Sequence, residues 1–269
     1  MSRRAARTSR APARPAEDPV RTVLGGALLV VSLGALFRGI DAWLGHPTQA
    51  VLLSAVVVSF AMGRAGVPSA PFGGRAVRRA LVAAGAVVLV VGLAVAVEVA
   101  LGARYRPRPL GGSVLYAIIE SLGRALRDEV WLHGIPLTFA ARAGLSLRAG
   151  ATFAVLASVA AVALEPGTTA VGLLVVASSS AAFVRLWLCG RDAWAPVAAH
   201  FAFVLSADAL LAGDGFVVER GIGGVLAAGS SAEGVVAAVA AVAFTALAGG
   251  ASRLPLPPAT AADMADEAV

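Results

Sequence analysis

Apolar residues in this chain come in runs of bilayer-crossing length, and that pattern leaves few ways to fold. A helix needs about 20 apolar residues to cross a hydrocarbon core of about 30 Å. Runs of that kind fall at about 22–44, 49–67, 80–102, 113–140, 149–165, 168–189, 193–212 and 231–249. The fourth is overlong and the least apolar, so part of it is expected at the membrane interface. Charged residues make up 14% of the 269 residues, against about 25% in ordinary soluble domains. With 58% hydrophobic residues, one soluble core could not hide the apolar surface, because burial is limited by surface-to-volume scaling. The expected fold class is all-α: a polytopic transmembrane helical bundle of about eight spans, with membrane lipid as its first partner.

Residues 1–21 carry Arg3, Arg4, Arg7, Arg10, Arg14 and Arg21 among Pro12, Pro15 and Pro19, and read as a disordered basic cytoplasmic tail. The transmembrane helical domain is expected over 22–250, and residues 251–269 as a flexible C-terminal tail. No clear Ala-x-Ala site follows the first apolar run, so it reads as a retained span rather than a cleaved signal. Arginine in short loops sets orientation. Arg64, Arg75, Arg78, Arg79, Arg142, Arg148 and Arg191 fall on the same side as the tail, and Asp214, Glu219 and Arg220 on the other. Arg104, Arg106 and Arg108 are the exception, on the outer side. The expectation is an integral protein of a bacterial inner membrane with both termini cytoplasmic.

The formal charge of +6 comes entirely from arginine, since the chain has no lysine. It suits anionic headgroups, and no nucleic-acid module is present to use it. Cys189 is the only cysteine, so no intramolecular disulfide forms. Abundant Ala, Gly and Ser would let helices approach closely, or could reflect composition alone.

Charges inside spans are costly and usually face a bundle interior. Candidates here are Arg38, Asp41, Glu98, Glu120, Arg124, Arg127, Asp128, Glu129, His133, Glu165, Arg185, His200 and Asp208. They concentrate in the fourth segment. Glu120 and Arg124 are four apart, as are Arg124 and Asp128, so each pair shares a helix face. Glu129 and His133 are also four apart, on a neighbouring face. A carboxylate and an imidazole so placed can activate water or hold a metal, and a helix stabilised by internal ion pairs explains the same spacing. Glu165 and His200 follow at separations of 165 − 129 = 36 and 200 − 165 = 35 residues. Each is enough for a helix and a turn, so three helices could direct one group each to a common point.

The stretch Asp128-Glu129-Val130-Trp131-Leu132-His133-Gly134, then Glu165, then Trp194-Ala195-Pro196-Val197 leading to His200 resembles the CAAX-protease and bacteriocin-processing family of intramembrane proteases. The likeness covers about residues 113–210. The family's first motif is Glu-Glu-x-x-x-Arg, its second Phe-x-x-x-His and its third His-x-x-x-Asn. Here Asp128 stands for the first Glu, His133 for the Arg, Glu165 for the His and Val204 for the Asn.

The resemblance implies an intramembrane endopeptidase acting on a membrane-associated protein or peptide. Glu129 would be the general base, and His200 a retained site residue. Glu165 would orient water or ligate a divalent metal such as zinc together with His200 and Glu129, and His133 would supply the missing imidazole. Val204 has no side-chain donor, and loss of one oxyanion donor costs about 10²–10³ in rate. Two alternatives stand beside this reading. One is a catalytically inactive relative acting as a membrane scaffold or client-binding protein; the other is a small transporter using Glu98, Asp128, Glu129 and Glu165.

Overall fold

The computed structural model of the protein describes residues 18–67, 73–100, 103–107, 113–164, 168–190, 193–211, 216–220 and 239–246. Eight helices are named here: α1 (Pro19–Leu44), α2 (Pro47–Ala65), α3 (Gly74–Ala100), α4 (Ser113–Asp128), α5 (Ile135–Arg142), α6 (Leu147–Ala163), α7 (Ala170–Gly190) and α8 (Trp194–Phe203). Residues 239–246 add a further helical stretch.

Local signals explain the helix ends. Asp18 accepts a hydrogen bond from the Val20 N–H at 3.0 Å and starts α1, three residues inside the stretch expected as tail. Pro47 opens α2, where a missing N–H costs nothing. Gly45 and Gly66 stop α1 and α2 in the left-handed conformation that glycine adopts freely. Ser146 caps α6 through the Ala149 N–H.

Among the described residues, α1, α2, α3 and α7 are long and apolar enough to cross a membrane, whereas α6 and the stretch Trp194–Ala207 are apolar but shorter. A helical membrane bundle therefore stands, but a count of eight spans does not follow from these helices. The last expected segment is described only over 239–246, and the tails at 1–17 and 251–269 lie outside the described residues. The outer faces carry large apolar side chains: Leu24, Leu28 and Val31 on α1, and Leu81 and Leu89 on α3, are all more than half exposed. In water such continuous patches drive association, whereas against lipid they are the ordinary surface.

The all-helical expectation misses one element. Arg104–Pro107 (β1) pairs antiparallel with Phe216–Arg220 (β2), with Tyr105 opposite Val218 and Pro107 opposite Phe216. The two segments are more than a hundred residues apart, and β1 is too short for periodicity to mark it. Pairing places both connections at the same end of the bundle.

The fourth segment is one helical rod from Ser113 to Arg142, interrupted by a π-helical turn over Glu129–Gly134. The Ile135 N–H bonds to the Val130 carbonyl, five residues back. Pro136 follows and has no N–H to offer the preceding turn, which is a known cause of such widening. A second π-helical turn, Val204–Leu211, continues α8.

The interior has two apolar clusters. One gathers Phe37, Val58, Val130, Ile135 and Trp187; the other gathers Val87, Val91, Phe183, Ala199 and Phe244. Helix α7 belongs to both, because Trp187 and Phe183 lie one turn apart on it. The polar site sits between them. Close approach of helices is selective: a Cβ at Gly26 would lie 2.7 Å from the Phe139 Cβ, and one at Gly34 would lie 2.8 Å from the Trp131 ring. Gly39, Gly85 and Gly92 face open space. Small residues are thus needed where α1 meets the rod, and also where the rod meets α2, since a Cβ at Gly123 would lie 2.9 Å from Val51 Cγ1.

Candidate functional site

Glu129 is completely buried and is the centre of a polar cluster in the apolar interior. Its Oε2 accepts from His133 Nδ1 at 3.0 Å and from Trp187 Nε1 at 2.9 Å. Its Oε1 accepts from His200 Nδ1 at 2.8 Å. Three elements meet here: the π-helical turn supplies Glu129 and His133, α7 supplies Trp187, and α8 supplies His200. A carboxylate left unpaired in this surrounding would be very costly, and three N–H donors replace the water it has lost.

The hydrogen-bond pattern assigns the tautomers. An ionised carboxylate only accepts, so both histidines carry a proton on Nδ1. In a neutral imidazole Nε2 then bears the lone pair. His133 Nε2 lies 3.0 Å from the Ser158 hydroxyl on α6, whose one proton is shared between that nitrogen and the Ala154 carbonyl at 3.1 Å. Phe183 packs against both rings: it stacks on His200 with centroids 5.0 Å apart and meets His133 edge-on at 6.2 Å. Burial follows the same order, since His133 is 2% exposed and the His200 side chain 15%.

The structure brings Glu129, His133 and His200 together. It sends Asp128 elsewhere: that carboxylate bonds to Arg127 Nε at 2.6 Å, and the same guanidinium lies over the Phe37 ring. Asp128, expected beside the catalytic carboxylate, is therefore part of an ion pair on a different face of the rod. Glu165 lies outside the described residues. Val204 is buried at the start of the second π-helical turn, and its side chain offers no polar atom. The expected pair of Glu120 and Arg124 forms at 2.8 Å, and Thr48 of α2 donates to the other carboxylate oxygen.

Sequence reasoning missed Trp187, Ser158 and Phe183. Trp187 left one usable signal, because a tryptophan inside a buried helix needs an acceptor for its indole N–H. Ser158 left none, since serine in an apolar helix usually bonds its own chain. Here it also lies 3.1 Å from the Ala154 carbonyl.

A zinc site would need ligand lone pairs converging at about 2.0–2.2 Å from the ion. At Glu129 the two imidazoles present N–H groups rather than lone pairs, and the Trp187 N–H occupies a further position. Among the described residues no three His, Cys, Asp or Glu side chains are placed to share an ion. As arranged, the cluster does not fit a metal held through Glu129 and the two Nδ1 atoms.

Comparison with protein-family models, with curated proteins and with solved structures finds no match to this chain.

Proposed function

We propose that this chain is an intramembrane hydrolase that cleaves an amide bond in a membrane-associated protein or peptide. The observation that carries the reading is the convergence of Glu129 with His200 and His133 inside an apolar bundle. Carboxylate–imidazole pairs of this geometry hold the ring in the tautomer that leaves Nε2 as the proton acceptor and stabilise the imidazolium that forms. His200, the more accessible of the two rings, takes the proton from the attacking water. Glu129 orients it and balances its charge, in place of acting as the base directly, because both carboxylate oxygens already accept N–H bonds. The motif resemblance supports the same pair, since Glu129 and His200 are the positions at which this sequence keeps the protease pattern. The setting proposed is a plasma membrane with both termini cytoplasmic, consistent with the arginine distribution.

A second reading has its own support. Val204 stands where an oxyanion donor is expected, and a saturated Glu129 is also what a purely structural pin between helices requires. Under that reading the chain is an inactive scaffold. Cleavage of membrane-anchored reporter peptides by the purified protein in liposomes separates the two. The hydrolase reading expects product from the wild type and none from Glu129→Gln.

A further inference from the structure

Three bonds in a row lead from a hydroxyl to a carboxylate. Ser158 Oγ lies 3.0 Å from His133 Nε2, and His133 Nδ1 lies 3.0 Å from Glu129 Oε2. The groups come from two elements, α6 and the π-helical turn, with serine and histidine 25 positions apart in sequence. The order is hydroxyl, then Nε2, then Nδ1, then carboxylate, as in a serine nucleophile relay, and such relays are recognised by geometry and roles whatever the fold. Because Glu129 forces the Nδ1–H tautomer, His133 Nε2 is the basic atom, and among the described residues Ser158 supplies the hydroxyl that contacts it, at 3.0 Å.

We propose that Ser158 is a nucleophile, and that the Ser158–His133–Glu129 relay forms an acyl-enzyme with a carbonyl substrate delivered from the lipid phase. The inference rests on the hydrolase reading of the Glu129 centre and adds a covalent step to it. Ser158 Oγ bonds to the carbonyl carbon while its proton passes to His133 Nε2. The scissile C–N bond breaks, and that proton goes to the departing nitrogen. Water then attacks the serine ester. One of its protons passes to His133 Nε2 and from there to Ser158 Oγ as the ester bond breaks, while the hydroxide oxygen stays on the acid. The sum is amide plus water giving acid plus amine.

One further feature bears on this role. Ser158 is 2% exposed, whereas Leu156, two residues earlier and so on the opposite face of α6, is 59% exposed, so the hydroxyl is turned to the bundle interior and away from bulk lipid.

The test uses the full-length protein in membrane vesicles and a long-chain alkyl fluorophosphonate, an electrophile that adds to activated serine. Peptide mass spectrometry reads the adduct. The expected result is an adduct at Ser158 that falls at least about a hundredfold in His133→Gln, where the base is removed, and is lost in Ser158→Ala. Absence of an adduct on the wild type, under conditions that label a known membrane serine hydrolase, overturns the proposal. So does an adduct whose yield His133→Gln leaves unchanged, which would mark incidental reactivity. If Ser158→Ala still cleaves reporter peptides and Glu129→Gln does not, the nucleophile is refuted while the hydrolase reading survives. If neither Glu129→Gln nor Ser158→Ala alters cleavage, both fall.

Discussion

Glu129 and His200 are 71 residues apart in sequence and joined by a 2.8 Å hydrogen bond in the interior of the bundle. That contact ties α8 to the π-helical turn, and with the Trp187 bond it closes three helices around one carboxylate. Stability and chemistry should therefore be separable at this point by choosing what replaces the glutamate.

Glu129→Leu removes the acceptor and leaves three N–H donors buried. Leaving partners of a buried ionic cluster uncompensated costs about 3–5 kcal/mol. A clear fall in thermal stability in detergent is expected. Glu129→Gln keeps the shape and one acceptor oxygen, so it should lose less. Equal stability of Glu129→Leu and the wild type would mean that the cluster is not formed.

Trp187→Phe keeps most of the ring but removes the indole N–H. Loss of one hydrogen bond to a charged group costs about 1.5–3 kcal/mol. Lower stability with an unchanged fold by circular dichroism is expected, and the loss should shrink in a Glu129→Leu background because the partner is already gone.

Gly26→Ala should destabilise the protein by about 1–3 kcal/mol through overpacking against Phe139. Gly39→Ala and Gly92→Ala meet nothing within 4 Å. They should be neutral or stabilising, because alanine is the better helix former by about 1 kcal/mol. Equal effects at all three positions in a denaturation series would show that α1 does not pack on α5 as described.

How much of this was legible beforehand follows from the range of each interaction. Apolar run length is a local property, so the helical segments stood out in sequence. The i,i+4 spacing is also local, and it gave Glu120 with Arg124 and Glu129 with His133. The placement of His200 came from motif order, not from physics. Ser158 and Trp187 were invisible as site residues because their significance depends on which helix packs beside which. Asp128 does not join the Glu129 cluster because the π-helical turn begins directly after it, so Glu129 turns inward while Asp128 pairs with Arg127. The ribbon of β1 and β2 was missed for the same reason as Ser158: pairing across the chain leaves no local periodicity.

That ribbon gives a direct check on topology. With Cys189 replaced by alanine, cysteines at Tyr105 and Val218 should cross-link, since those positions are paired. Both should also react with a membrane-impermeant thiol reagent from the same side. Reporter fusions near residues 5 and 260 should place both termini in the cytoplasm. Labelling of the two cysteines from opposite sides would contradict the pairing and the arrangement of helices between them.

The central claim is that the Glu129–His133–His200 cluster performs hydrolysis rather than merely joining helices. The most direct measurement is the cleavage rate of membrane-anchored reporter peptides by purified protein in liposomes, comparing the wild type with folded Glu129→Gln and His200→Gln variants. Measurable product is expected from the wild type, with a drop of at least about a hundredfold in each variant, the usual scale for loss of a positioned acid–base group. Cleavage that persists unchanged in both variants would contradict it.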